Sequence, residues 1–240
     1  MKVALVTGAN RGIGFETAKQ LAQLGHFVYI GCRDKSLGQQ AVEKLHKLGL
    51  INTETIVIDI TKVTTITEAK KVIETKSNRL DILVNNAGIL GTVPQPAATT
   101  SVDEIRRIFD TNFFGTIQVT QEFIPLLEKS EAGRIVNVTS DLSSLTLHND
   151  PTWKFYPFKS AGYSVSKTAL NGYTIMLAFG LKDSKIKVNA VNPGHTATDF
   201  NNHRGDKIPD QTAGVIVKYA TIDNDGPNGK FFNEDGEMPW

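Results

Sequence analysis

Apolar runs and helical patterns alternate along almost the whole chain. Lys2–Thr7, Phe27–Cys32, Thr55–Asp59, Leu80–Asn85 and Lys187–Val191 read as strands, with another inside Gly133–Ser140 and a last one at Gly229–Phe232. Between them, Gly12–Leu24, Lys35–Leu48, Thr64–Thr75, Val102–Leu127 and Ala161–Leu181 read as helices. The strands are continuous Val/Ile/Leu runs, such as Val3-Ala4-Leu5-Val6 and Ile82-Leu83-Val84, rather than apolar/polar alternations. Such runs suit a parallel sheet covered by helices on both faces. Repeated βα units with right-handed crossovers then predict an α/β fold, a doubly wound parallel sheet of Rossmann type. A single domain over residues 1–240 is expected, since neither a repeat nor a linker interrupts the pattern. The irregular stretches Gly91–Thr100, Leu142–Ser160 and Thr198–Asp210 each follow a strand, and loops at the carboxyl ends of parallel strands build sites.

Composition narrows the function. With 240 residues and a formal net charge of +1, nothing marks a surface for nucleic acid. Cys32 is the single cysteine, so no internal disulfide forms, as in a reducing compartment. No segment approaches the roughly 20 apolar residues of a membrane span, and the apolar start of MKVALVTGANRG is too short for a signal core. A soluble, cytoplasmic chain is expected. The five histidines, His26, His46, His148, His195 and His203, show no ligand spacing, so no metal is expected.

Candidate chemistry begins at Thr7-Gly8-Ala9-Asn10-Arg11-Gly12-Ile13-Gly14, between the first strand and the first helix. In that context glycines permit a tight turn, close approach to phosphate and close helix packing. The helix N-terminus offers N–H groups and a positive dipole end to a pyrophosphate. The spacing is G-x-x-x-G-x-G rather than G-x-G-x-x-G. The second strand ends Gly31-Cys32-Arg33-Asp34. Arg33 and Arg11 favour the 2′-phosphate of NADP(H). Asp34 either holds a ribose 2′-hydroxyl, as NAD sites do, or caps the next helix.

A second segment, Tyr163-Ser164-Val165-Ser166-Lys167, puts Tyr and Lys four apart on one helix face. A neighbouring ammonium would lower the phenol's ordinary value of ~10 toward neutrality. Thr139 and Ser140 end the strand before it, and alternation sends their hydroxyls to opposite sides. Asn85-Asn86-Ala87-Gly88 and Asn192-Pro193-Gly194 end two further strands, and Asn112 lies in the long helix.

Together these motifs resemble the short-chain dehydrogenase/reductase family, in order from Val3 to about Thr198. The resemblance implies a Ser140–Tyr163–Lys167–Asn112 catalytic set. Tyr163 is then the general acid in reduction and the base in oxidation. Lys167 lowers the tyrosine's pKa and binds the nicotinamide ribose, Ser140 polarises the carbonyl, and Asn112 holds a water linking Lys167 to solvent. Gly8, Asn10, Arg11, Gly12, Ile13, Gly14 and Arg33 would bind the phosphates. Asp59 and Ile60 would border the adenine, Asn86, Ala87 and Gly88 would line the cofactor, and Pro193, Gly194 and Thr196 or Thr198 would flank the nicotinamide.

The stretch between Ser140 and Tyr163 exceeds the family's usual length and carries Trp153, Phe155, Tyr156 and Phe158. These aromatics either wall a substrate pocket or cover the sheet end. The insertion, together with Gly226–Phe232 and Glu237–Trp240, resembles the carbonyl reductase branch. That implies NADPH/NADP+ as cofactor, a small-molecule carbonyl substrate, an open pocket, and a monomer or small homo-oligomer. Trp240 either reaches the pocket or packs on the surface. An oxidative alcohol dehydrogenase and a non-catalytic NADP-binding sensor are the rival readings. The first shares every motif, while the second would have no need of the proton-transfer set.

Overall fold

In β1 (Val3–Thr7), Val3 and Leu5 enter one apolar layer while Ala4 and Val6 enter another. That is why the strand reads as an unbroken apolar run: both of its faces are buried. The strand lies within a seven-stranded sheet of order β3-β2-β1-β4-β5-β6-β7. The other strands are β2 (Phe27–Cys32), β3 (Thr53–Val57), β4 (Ile82–Asn85), β5 (Arg134–Val138), β6 (Lys187–Val191) and β7 (Phe231–Phe232). Every pairing is parallel. The computed structural model describes every residue from Met1 to Trp240.

Helices α1 (Gly12–Gln23), α2 (Lys35–Lys47) and α8 (Pro209–Ala220) supply one apolar layer, through residues such as Leu21, Leu45 and Ile216. Helices α3 (Val63–Ser77), α5 (Thr116–Leu127) and α7 (Tyr163–Gly180) supply the other, through Ile66, Phe123 and Ala178. The chain winds outward from β1 to β3 and then returns beside β1 as β4. The crevice at such a reversal is where doubly wound sheets bind ligands.

Several expectations need correction. The third strand is Thr53–Val57, two residues earlier than Thr55–Asp59. The Val102–Leu127 helix is α4 (Val102–Phe109) and α5 joined by a π-helical turn at Asp110–Gly115. A Cβ at Gly115 would lie 2.9 Å from the Ile60 carbonyl oxygen, so the turn brings the backbone close to the end of β3. Within Leu142–Ser160, Leu145–His148 forms a helical turn, α6. Helix α8 was not anticipated, although Pro209 at its first turn followed by Asp210 is a start signal.

Asp81 fastens the bottom of the sheet. Its carboxylate accepts the Val3 N–H at 2.7 Å, the Ser130 hydroxyl at 2.6 Å and Arg79 Nε at 3.1 Å. Burial alone would push this carboxyl up; those donors outweigh burial and hold it below its ordinary value. A depressed carboxyl stabilises the fold above its unfolded pKa, and that contribution disappears as pH falls through the lower folded value. Asp81→Asn is therefore expected to cost about 1–3 kcal/mol at neutral pH. Its penalty should shrink in acid; melting curves at neutral and acidic pH check both.

Candidate active site

The phosphate turn has the shape that its glycines predict. Gly8 and Gly12 lie in the left-handed region, at φ 64° and 59°. A Cβ at Gly14 would stand 2.6 Å from the Gly8 carbonyl oxygen, so only glycine lets α1 begin so close to the turn. Asn86 clamps the turn from β4, donating from Nδ2 to the carbonyls of Thr7 (2.9 Å) and Gly8 (3.2 Å). Thr7 Oγ1 accepts the N–H groups of Asn86 and Ala87. The Asn86 side chain thus shapes the cradle rather than facing into it.

No side chain caps the N-terminus of α1, in contrast to α2, where Asp34 Oδ1 accepts the Leu37 N–H at 3.0 Å. An uncapped N-terminus that opens at a glycine turn suits a phosphate-bearing cofactor. The free amides of α1 are unclaimed, and Asp34 is the helix cap rather than a free ribose acceptor. Arg33 is exposed beside that cap, and its charge helps lower Asp59. Asp59 itself accepts the N–H and hydroxyl of Thr61 and lies 3.6 Å from Lys62. Arg11 reaches across the crevice to Asp199, Nη1 to Oδ2 2.9 Å. Asn10 sits within the turn, and Ile13, at the start of α1, packs on the α1 layer.

Tyr163 and Lys167 start α7 and are buried. Ser140 follows β5, and its Oγ accepts the Leu142 N–H at 3.2 Å. Thr139, the other hydroxyl at this strand end, is buried with its Oγ1 unpartnered. Burial pushes the Tyr163 phenol up to about 12, against a smaller lowering by Ser140. Burial brings Lys167 down to about 8. Lys167 is not among the groups that shift Tyr163 in the chain by itself. Lys167 Nζ donates 2.8 Å to the Val138 carbonyl oxygen, and the low-polarity surroundings penalise a phenolate more than Ser140 favours it. Gly88 leaves the space beside that ammonium open, since a Cβ there would lie 3.6 Å from Nζ.

Asn112 sits in the π-helical turn, where such irregularities gather at functional sites. Its Oδ1 accepts the Ile89 N–H at 2.8 Å, and its Nδ2 donates to Ile89 O (2.9 Å) and Ser166 Oγ (3.1 Å). Both donor hydrogens of the amide are used, which leaves one lone pair of Oδ1 without a protein partner.

The loop after β6 closes the other side. Gly194 is left-handed at φ 88° and its N–H reaches Asn192 Oδ1 at 2.9 Å. Thr196 is buried and donates to Gly194 O, whereas the Thr198 side chain faces Gly12, 3.4 Å from where a Cβ there would be. Of the two threonines, Thr198 is the one at the phosphate turn. Phe200 packs edge-on against Tyr163 at 5.7 Å.

Beside Ser140 opens a cleft of about 420 Å³, bordered by Trp153, Phe155, Asn192, Pro193, Gly194 and His195 and by the C-terminal stretch from Asn233 to Pro239. Trp153 and Phe155 line it; Tyr156 and Phe158 do not, and both are exposed. Trp240 stacks on Phe231 instead of entering the cleft.

Two residues at the site escaped the sequence reading. Gln95, buried between two prolines, accepts the Gly162 and Tyr163 N–H groups on Oε1 at 3.1 and 2.9 Å and donates to Leu90 O at 2.8 Å. The only signal was a polar residue in Pro94-Gln95-Pro96. Asp141 follows Ser140 directly, accepts its hydroxyl at 3.2 Å and lines the cleft.

A reversal crevice with an uncapped glycine turn, together with a buried Tyr/Lys pair and a cleft lined by Asp141, Trp153 and Phe155, defines a dinucleotide-dependent oxidoreductase. Comparison with known proteins agrees. The short chain dehydrogenase family model matches residues 2–209, and the chain belongs to that family. It is 30% identical to (+)-neomenthol dehydrogenase of Capsicum annuum over 96% of this chain and 95% of that one. Salutaridine reductase from Papaver somniferum superposes with a TM-score of 0.85 at 29% identity, covering 98% of this chain and 100% of that one. An NADPH-bound carbonyl reductase from chicken fatty liver also superposes at 0.85, with 26% identity and full coverage of both chains. No helix is long and apolar enough to cross a membrane.

Proposed function

We propose that this oxidoreductase reduces aldehydes or ketones to alcohols with NADPH, Tyr163 supplying the proton. What supports this reading is the buried Tyr163/Lys167 pair at the start of α7, with Lys167 bonded to the Val138 carbonyl at the strand end that leads to Ser140, together with the glycine turn that opens α1. The NADPH-bound carbonyl reductase neighbour supports the cofactor, as do Arg11 and Arg33. Gly8, Asn10, Gly12, Ile13 and Gly14 would hold the pyrophosphate, with Arg33 on the 2′-phosphate. Asp59 and Ile60 would border the adenine, and Ala87, Gly88, Pro193, Gly194 and Thr198 the rest of the cofactor. Bound NADPH supplies the hydride.

The chain's own groups handle the proton. At neutral pH the Tyr163 phenol, up to about 12 by burial, is protonated and ready to donate. Ser140 Oγ orients the carbonyl oxygen toward it. Lys167 carries the positive charge that favours the phenolate once the proton has left, and Val138 O fixes its ammonium. Trp153 and Phe155 offer an apolar wall to the substrate body.

NADPH oxidation against a panel of aldehydes and ketones, with NADH in parallel, tests the reading. Turnover with NADPH is expected. Arg33→Ala should raise the KM for NADPH by about 10- to 100-fold, the worth of a charge-assisted phosphate contact. It should leave the NADH reaction nearly unchanged. Equal use of both cofactors by the unaltered chain would remove the NADPH assignment. Tight NADPH binding without turnover on any carbonyl would move the reading to a nucleotide sensor.

A further inference from the structure

Tyr163 is the first residue of α7, and the helix start has no cap of its own. Gly162 holds the cap position, and a Cβ there would lie 2.5 Å from Ile108 Cδ1, so no side chain fits. Buried N–H groups at a helix start still need acceptors. Here the acceptor comes from a distant part of the chain. Gln95, in the loop after β4, is 1% exposed. Its Oε1 accepts the Gly162 N–H at 3.1 Å and the Tyr163 N–H at 2.9 Å. Its Nε2 donates to Leu90 O at 2.8 Å, and its own carbonyl accepts the Ala161 N–H at 2.9 Å.

We propose that Gln95 is a positioning residue for the proton step: its side-chain amide caps α7 from outside the helix and fixes the backbone of Tyr163 against the segment that follows β4. The inference rests on the reading of Tyr163 as proton donor.

Two features favour positioning over plain space filling. The other side of Tyr163 is tied to the same segment. Its carbonyl accepts the Ser166 hydroxyl at 2.7 Å, Ser166 Oγ accepts Asn112 Nδ2 at 3.1 Å, and the Asn112 amide bonds Ile89. Ile89 and Leu90, directly after Gly88, thus reach both the carbonyl and the N–H of the tyrosine through side-chain amides. The second feature is chemical. A buried amide is unfavourable unless its polar atoms are paired, and an apolar side chain between Pro94 and Pro96 would fill the same space without that penalty. The side-chain bonds that offset the penalty end at Leu90 and at the start of α7. A phenol is long and rigid, so a small tilt of the helix start is enlarged at its oxygen. A misplacement on the order of 1 Å costs about 10²-fold in rate.

Gln95→Met keeps the length of the side chain and removes its polar atoms. On the best carbonyl substrate of the panel, kcat is expected to fall about 10- to 100-fold. NADPH affinity, read by cofactor fluorescence, should not change, because Asn86 clamps the glycine turn without help from Gln95. Gln95→Glu keeps the accepting oxygen and, as a neutral buried acid, the donor to Leu90; it should restore most of kcat. In a Tyr163→Phe background Gln95→Met should add almost no further loss, since the oxygen being positioned is gone and residues acting through one group are not additive. Melting curves establish that each variant is folded. Gln95→Asn, one methylene shorter, carries the same expectations if the Met variant does not fold. An unchanged kcat in the folded variant would overturn the proposal, as would the same fold-loss in both backgrounds. Turnover surviving in Tyr163→Phe would overturn the proton-donor reading and this inference with it, whereas loss in Tyr163→Phe with no effect at Gln95 would overturn this inference alone.

Discussion

Tyr163→Phe is expected to lower carbonyl reduction by about 10²- to 10⁴-fold, the usual worth of a positioned general acid. NADPH affinity should stay nearly intact. The expectation follows from burial: Tyr163 sits at the first position of α7 with Phe200 against its ring and Ser140 as its polar neighbour. Phe keeps the ring and those apolar contacts and removes only the oxygen. Fold and cradle are therefore preserved, and the loss falls on the chemical step. Single-turnover kinetics together with cofactor fluorescence separate the two. A variant within a few-fold of the unaltered chain would mean that another group delivers the proton. Ser140 and, on the adjoining cleft, His195 would be the next to examine.

The second large effect belongs to Lys167. Lys167→Met should lower turnover by about 10²- to 10³-fold, as removal of a fixed electrostatic partner of a developing anion does. Stability should change little, because two opposing terms nearly cancel. Val138 O loses its donor, costing about 1–3 kcal/mol, while a buried cation no longer has to be desolvated. The burial that brings Lys167 down to about 8 also gives the unaltered chain a signature. Its ammonium loses charge as pH rises through that value, so reduction should decline there, and Lys167→Met should lack that decline. A melting curve and a pH series of turnover test the two halves of the argument separately.

The sheet and most helices were legible because both faces of the strands are buried, which leaves unbroken apolar runs such as Ile82-Leu83-Val84. The glycine turn and the Tyr163/Lys167 spacing were legible because each depends on local backbone geometry. Asp34 was ambiguous in the sequence for a physical reason: the same carboxylate suits a ribose hydroxyl and a helix N-terminus, and only its bond to Leu37 N–H decides. The seat of the Lys167 ammonium was hidden for a similar reason. Sequence spacing placed Lys167 on the right helix face, but not that its ammonium would be held by a strand carbonyl from β5. Helix α8 was missed because it follows a polar loop and its apolar residues meet a partner, α1, distant in sequence. Asp141 and Gln95 left almost no sequence signal, since their partners come from the tertiary fold.

Gln95 carries a consequence for engineering. The loop from Gly91 to Thr100 follows β4 at the crevice end of the sheet, and exchanging it between relatives is an obvious way to retune selectivity. One amide in that loop holds the first two backbone N–H groups around Tyr163. A transplanted loop without an equivalent of Gln95 would thus alter the seat of the tyrosine along with the substrate contacts. Loop and helix start form one heritable module, and a graft has to move them together.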